Sequence, residues 1–503
     1  MRITNGIMMN NSLNNINKNK LLMDKLNTQI ASTKKLSRPS DDPIAAIRAL
    51  RLRSTEAELT QYLEKNIEDA EAWMKTTEGA LTNLQDVLTK IDAYYNQGVS
   101  EYSTVSDRET IITTLKQFKS QLYKDGDADN AGRTIFTGYR TDSTLTFQHA
   151  DPTKQYEITQ NLTLANVRQI NKVVGVNTSS TTDYRETDVT NDKLNIVMLA
   201  YNNLDSATNL KITSTTNNIL NNASVTVKSY QEMGEEVYNI QNDEIVFVPE
   251  TGEVLFSDKA YETMNTAAGA ISGSETEIRM NYKKSKWEVG DLRPEHYFAC
   301  EGTTTKNGVT KTVSYNEEYL EGKKEKQSIE YDVGYNQKIE VNTTADEVFS
   351  HRLDRDVDDL VTALASLEKI ESTWTDLKKV LSGLDEGTAD YKEVQTKLEA
   401  ADKAFSYIRE NIHDLMQHTI TSTQQYLDDT NVAITDNGTR ESRLDLISNR
   451  LMDQQTTFKT LQSENEDVDI ADVTIQLTST KLTYDAALMA TGKIMQTSLM
   501  NYI

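Results

Sequence analysis

A chain of 503 residues with 37% apolar side chains is long enough for several domains, too lean for one large core and too apolar for wholesale disorder. Its formal charge of −24 argues against nucleic acid as a partner, because phosphate binding needs a basic surface. The single cysteine, Cys300, excludes an intramolecular disulfide. No apolar run approaches the roughly 18 residues of a membrane span, and no apolar h-region opens the chain, so neither membrane insertion nor a cleaved signal is expected.

The opening segment carries Met9, Ile16, Met23 and Ile30 at seven-residue intervals, with Leu13 and Leu26 filling the stripe. Such a narrow seam on a polar helix is what a coiled-coil partner presents. Lys20 and Asn27 are expected to interrupt it. A break follows at Arg38, Pro39, Ser40, Asp41, Asp42 and Pro43. Pro39 disfavours helix in the residue before it, one of Ser40, Asp41 and Asp42 can cap the next helix, and Pro43 suits its first turn. From there helix is predicted to about Tyr95, because Leu63, Ile67, Ala70, Met74, Thr77, Leu81, Leu84, Leu88, Ile91 and Tyr95 alternate in steps of four and three. A second helix carries Ile111, Leu115, Phe118 and Leu122. Asp125, Asp127 and Asp129 have calcium-loop spacing, but Asn130 and Phe136 occupy the positions that need Gly and Glu, so the segment reads as a turn. A strand-like patch follows at 134–139.

From about 143 to 345 short alternating runs rich in Thr, Val, Ile and Tyr replace the helical pattern. Strands are predicted at 193–198, 209–213, 224–230 and 277–282, a hairpin across Thr251-Gly252, and more strand within 327–341. Helix returns with Leu353, Val357, Leu360, Leu364 and Leu367, then over roughly 389–427. Past Asn437-Gly438, Leu444, Ile447, Leu451, Phe458 and Leu461 resume heptad spacing. A final helix carries Leu477, Tyr484, Ala487 and Ile494. An amphipathic helix without a local partner buries its stripe elsewhere, and pairing the first and last segments is the simplest solution. Charge agrees: residues 1–55 hold ten basic against three acidic side chains, a net of +7, while the last 44 hold six acids against Lys481 and Lys493, a net of −4. The expected fold is mainly α with a β-rich insert. Its parts are 1–40 with 464–503 as a terminal coiled coil, 41–147 with 350–463 as a helical bundle bearing a short hairpin, and 148–349 as an outer, separable β-rich insert.

Motifs for chemistry are missing from the text of the chain. There is no P-loop, dinucleotide fingerprint, G-x-S-x-G elbow or H-E-x-x-H helix. His413 and His418 are five apart, off a shared helical face. No catalytic residue, cofactor or metal is therefore expected, and the three tryptophans read as core or interface anchors.

The opening Met1-Arg2-Ile3-Thr4-Asn5, the block Ser37-Arg38-Pro39-Ser40-Asp41-Asp42-Pro43-Ile44-Ala45-Ala46, and Ser463-Glu464-Asn465-Glu466-Asp467-Val468-Asp469-Ile470-Ala471 resemble the flagellin-like hook-associated proteins of the bacterial hook–filament junction. Ile135 to Tyr139, Glu330 to Phe349 and the uncharged tail from Ile494 to Ile503 resemble further elements of that family. The resemblance implies a structural, exported protein of the extracellular flagellum with a flagellin-like nested architecture. It implies a ring of copies of itself, bound on one side to the first hook-associated protein and on the other to flagellin. It further implies an export chaperone on the carboxyl-terminal segment. Within this expectation Met9, Leu13, Ile16, Met23, Ile30, Leu477, Tyr484, Ala487 and Ile494 form the assembly interface, and Arg38 to Pro43 the interdomain break. Flagellin of the filament shaft is the alternative.

Overall fold

Helix dominates both ends of the chain because few prolines or glycines stop it there. The computed structural model describes every residue except 1–4, 99–104, 175–184, 206–209, 215–224, 242, 270–277, 307, 322–325 and 500–503. The first elements are α1 (Asn5–Ser32), α2 (Pro43–Gln61), a π-helical turn at Tyr62–Ile67, α3 (Glu68–Gly98) and α4 (Val105–Asp125). The strand-rich region contains β1 (Asp129–Asn130), β2 (Arg133–Thr134), β3 (Lys154–Leu162), β4 (Arg168–Val174), β5 (Thr190–Met198), β6 (Lys211–Ser214) and β7 (Val225–Val227). It continues through α5 (Tyr230–Met233), β8 (Ile245–Val248), β9 (Glu253–Phe256), α6 (Asp258–Gly269), β10 (Ile278–Lys284), β11 (Ala299–Lys306) and β12 (Val309–Tyr315). The chain returns through β13 (Glu330–Gly334), β14 (Gln337–Glu340), α7 (Ala345–Val348), α8 (His351–Leu381), α9 (Ala389–Glu466) and α10 (Ile470–Leu499).

Two units result. One gathers 1–71, 331–339 and 442–503; the other holds 72–330 and 340–441. In the first, α1 packs along α10. The backbone of Thr33 to Lys35 pairs with Glu466 to Val468 (Lys35 N to Glu466 O 2.7 Å, Val468 N to Thr33 O 3.0 Å), so the two helices run antiparallel. The β13–β14 hairpin takes part through Asn66, whose Nδ2 donates to the Asp332 carbonyl at 2.7 Å.

From Pro43 to Gly98 the helix is unbroken. Ala49, Leu59, Ile67, Ala70 and Met74 are buried and Leu52, Glu56 and Leu63 half-buried, giving steps of 3-4-3-4-4-3-4. The doubled four at Leu59–Leu63–Ile67 is one residue more than regular helix accommodates, and the π-turn there absorbs it. The predicted seam from Ile67 to Tyr95 is buried throughout.

The second unit contains two five-stranded sheets, ordered β12-β11-β3-β10-β6 and β4-β5-β9-β8-β7; every pairing is antiparallel except β7 with β8. Alternate residues of β3 and β10 point inward (Tyr156, Ile158, Met280, Tyr282) and meet Val197, Phe247 and Phe256 of the other sheet. Trp287 stacks on Phe147 in this core at 4.6 Å between centroids. β8 and β9 are buried along their whole length, because Val246, Val248 and Leu255 pack in a second core with Val237 and Tyr238.

Several sequence expectations need correction. Between 134 and 139 only Thr134 lies in a strand, and the Asp127 carboxylate serves the Thr146 amide (2.9 Å) and Gln148 (2.6 Å). The strand expected over 224–230 stops at Val227, and helix α6 within the insert was not foreseen. The first residues of the strands expected over 209–213, 224–230 and 277–282 lie outside the described residues. Asn437-Gly438 does not interrupt α9, which runs 78 residues. Asn437 is buried and donates to the Met74 carbonyl at 3.0 Å. Thr419, Thr423 and Thr430 sit buried in the same helix, each returning its hydroxyl to the carbonyl four residues back. Cys300 is buried, as a small apolar residue would be.

Candidate assembly surface and helix break

On α1 the buried and half-buried positions are Ser12, Ile16, Asn19, Met23, Leu26 and Ile30, spaced 4-3-4-3-4, with Gln29 half-buried beside the last. On α10 they are Val473, Leu477, Thr480, Tyr484, Ala487 and Thr491, with the same spacing. These stripes are the seam between the helices. Of the predicted residues, Ile16, Met23 and Ile30 face it from one side and Leu477, Tyr484 and Ala487 from the other. Met9 and Leu13 remain exposed. The Ile494 side chain lies outside the described residues. Lys20 and Asn27 are exposed as well. The seam steps by three from Ile16 to Asn19, and not by four to Lys20, which brings in Ser12 and Asn19 beside the expected Leu26. Polar Ser12, Asn19, Thr480 and Thr491 make it thin.

The opposite face of α10 carries a second stripe that the sequence reading missed: Asp472, Ile475, Ser479, Leu482, Ala486 and Met489, spaced 3-4-3-4-3 and all exposed. Ile475, Leu482 and Met489 are 68%, 74% and 72% exposed. Their seven-residue interval was the available signal. α2 also presents apolar residues to solvent, Ile44, Ile47 and Leu50 at 76%, 54% and 67%, interleaved with exposed Arg48 and Arg51.

At the break, α1 ends where Thr33 takes a left-handed conformation (φ 59°), strained for a β-branched residue. The Asp41 carboxylate accepts from the Arg38 amide at 3.1 Å and the Ser37 hydroxyl at 3.2 Å. Asp42 is the cap of α2: its Oδ1 accepts from the amides of Ile44 and Ala45, both at 3.0 Å, and Pro43 occupies the first helical position. Ser40 makes no capping bond. The two strands of chain around the break are tied by charge. Arg53 Nε donates to Glu466 Oε1 at 2.7 Å, Lys34 pairs with Asp467 and lies 3.7 Å from Glu466 Oε2, and Asn465 Nδ2 donates to the Ala45 carbonyl at 3.1 Å. The Arg53 guanidinium holds the Glu466 carboxyl below the usual range, and the Lys34 ammonium does the same for Asp467. Leu36, Pro39, Ala49, Leu50, Arg38 and Glu466 line a cavity of about 200 Å³ beside this lattice.

In the second unit a further set of charges escaped the sequence reading. The first turns of α8 hold Asp354, Arg355, Asp356, Asp358 and Asp359 against the insert. Arg168 Nη1 contacts Asp356 Oδ1 at 2.9 Å, Lys119 bridges Asp354 and Asp358, and Asn202 donates to Asp358 at 2.7 Å. Arg355 donates to the Thr251 carbonyl. Lys172 lies 3.6 Å from the buried Glu253 and 3.2 Å from the Tyr238 hydroxyl. Burial raises the Asp359 carboxyl to about 7. Among the described residues no group of His, Cys, Asp and Glu could hold a metal ion, and no helix is long and apolar enough to cross a membrane.

Residues 3–141 match the family model described as the bacterial flagellin N-terminal helical region. Over 147 residues the chain is 29% identical to flagellar hook-associated protein 3 of Salmonella typhimurium, covering 28% of this chain and 45% of that protein. It is 27% identical over 150 residues to flagellar hook-associated protein 3 of Escherichia coli, with the same coverage. The match thus spans less than half the length of these curated relatives. A crystal structure of flagellar hook-associated protein 3 from Legionella pneumophila aligns over 82% of this chain and 97% of its own, at 10% identity and a TM-score of 0.30.

Proposed function

We propose that this chain, which opens with a flagellin amino-terminal helical region, is a structural subunit of the bacterial flagellum at the junction of hook and filament. The observation that carries the reading is the antiparallel pairing of α1 with α10, on a chain whose residues 3–141 match the flagellin N-terminal helical region and which is similar over 147 residues to a hook-associated protein 3. A seam this thin suits helices that gain partner faces from neighbouring subunits, so that ordering is coupled to assembly. Function here is packing; no bond is made or broken, and no cofactor is required.

In this reading the subunit leaves the cell unfolded, with an export chaperone on the carboxyl-terminal segment, and joins a ring of its own copies. Its neighbours are the first hook-associated protein and flagellin. The predicted seam residues, exposed Met9 and Leu13 included, belong to the assembly interface, and 38–43 sets the entry angle of α2. The division into 1–40 with 464–503, 41–147 with 350–463, and 148–349 is proposed as the functional one. A flagellin of the filament shaft shares the architecture and is the second reading.

Labelling isolated hook–filament preparations with an antibody to residues 148–349 tests this. Label at a single band between hook and filament is expected. Label along the whole filament would favour the shaft, and no label on any flagellum would overturn both.

A further inference from the structure

The outer stripe of α10 has no cover among the described residues, and neither has the outer face of α2. Both are apolar at their centre. Ile475, Leu482 and Met489 line one; Ile44, Ile47 and Leu50 line the other. Their charges are opposite. Arg48 and Arg51 of α2 are exposed and make no ion pair among the described residues, whereas α10 offers exposed Asp472 and Asp485.

Spacing fixes how two such faces fit. Ile44 and Arg51 are seven residues apart, as are Leu482 and Ile475, so each pair spans about 10.5 Å of helix. Laid antiparallel, Ile44 meets Leu482, Ile47 meets Ser479, and Arg51 arrives beside Ile475 and Asp472. Ile44 then covers Leu482, small Ser479 makes room for branched Ile47, and Arg51 lays its apolar stem on Ile475 while its guanidinium reaches the Asp472 carboxylate. Parallel alignment, with Ile44 on Ile475, instead sets Leu50 on exposed Lys481 and so brings a cation beside Arg51.

We propose that the α2 face of one copy docks antiparallel on the outer α10 stripe of a second copy, with Arg51 against Asp472. This rests on the junction reading and specifies which faces of neighbouring subunits meet. Regions of complementary charge align the two helices, and the desolvated apolar rows hold them.

The only native thiol, Cys300, is buried, so introduced cysteines report without background. Two full-length copies, one with Ile47→Cys and one with Ser479→Cys, are expressed together in the native cell. Isolated hook–filament structures are then oxidised with copper–phenanthroline. A disulfide-linked dimer is expected, and pairing Ile47→Cys with Glu393→Cys should give none. Arg51→Glu should cut the dimer yield several-fold, and adding Asp472→Arg in the partner copy should restore it. Protein present at the junction with no Ile47–Ser479 dimer, or with as much dimer in the Glu393 control, overturns this docking and leaves the junction reading standing. Protein absent from the flagellum overturns both.

Discussion

Removing Arg168 tests how the strand-rich insert is held on α8. The Asp356 side chain is 2% exposed, and its carboxylate is satisfied by Arg168 at 2.9 Å and by the Tyr426 hydroxyl at 3.3 Å. In Arg168→Met the apolar stem is kept and the charge lost, so Asp356 remains buried with one long neutral hydrogen bond. Breaking a buried pair costs on the order of 3–5 kcal/mol. Arg168 is itself 20% exposed, and water can partly replace it, so the lower end applies: about 3 kcal/mol. With a urea m-value of about 2–3 kcal/mol/M, the midpoint should fall by roughly 1–1.5 M. Trp73, Trp287 and Trp374 all lie in the second unit, so tryptophan fluorescence follows this unit alone. Arg168→Met with Asp356→Leu should recover at least half of the loss, because the orphaned charge is gone. A midpoint within about 0.3 M of the parent in the single variant would mean that the pair contributes little, refuting the reasoning.

Asp359, raised to about 7, binds a proton in the folded state that the unfolded chain releases near 4. Its contribution is present at pH 4 and lost as pH rises through 7; urea midpoints for Asp359→Asn should lack this decline. Residues 1–40 and 465–503 of the isolated subunit should exchange amides quickly and be clipped first by protease, because so thin a seam cannot offset about 1–2 kcal/mol of backbone entropy per residue. Strong protection at Ile16 before assembly would contradict that. Asp42→Ala should cost about 1 kcal/mol at the start of α2, read as faster exchange at Ile44 and Ala45, while Asp41→Ala should leave those amides unchanged.

Long helices were legible because their seams repeat over many turns and average out single exceptions. Ile67 to Tyr95 is an instance, each apolar position buried as its spacing demands. The thin seam of α1 was legible in period and misread in phase. Leu13 and Ser12 compete for the same half-turn, and apolarity favoured Leu13, whereas packing against α10 chose Ser12 and Asn19. The resemblance reached the ends of the chain and little of the insert, whose β3, β4, β11 and β12 went unread. Runs such as Lys-Gln-Tyr-Glu-Ile-Thr-Gln alternate too briefly to separate strand from loop. The α8 charges were invisible for a different reason: in a chain with 77 acids, Asp354 to Asp359 reads as a solvated face. Only tertiary folding brings Arg168 of β4 and Lys119 of α4 to it. The same contacts qualify the expectation of a separable insert, since excision would leave Asp356 without its cation.

The π-turn at Tyr62–Ile67 bears on which length changes this protein tolerates. Its surplus residue already sits between two stretches of regular helix, so dropping exposed Glu64 would return the turn to ordinary α geometry and keep both flanking stripes in step. The same deletion a few turns later, at Glu78 say, would rotate every downstream buried position by about 100°. Natural variants that differ in length by one residue should therefore cluster at this turn, leaving the rest of the helix with a fixed count.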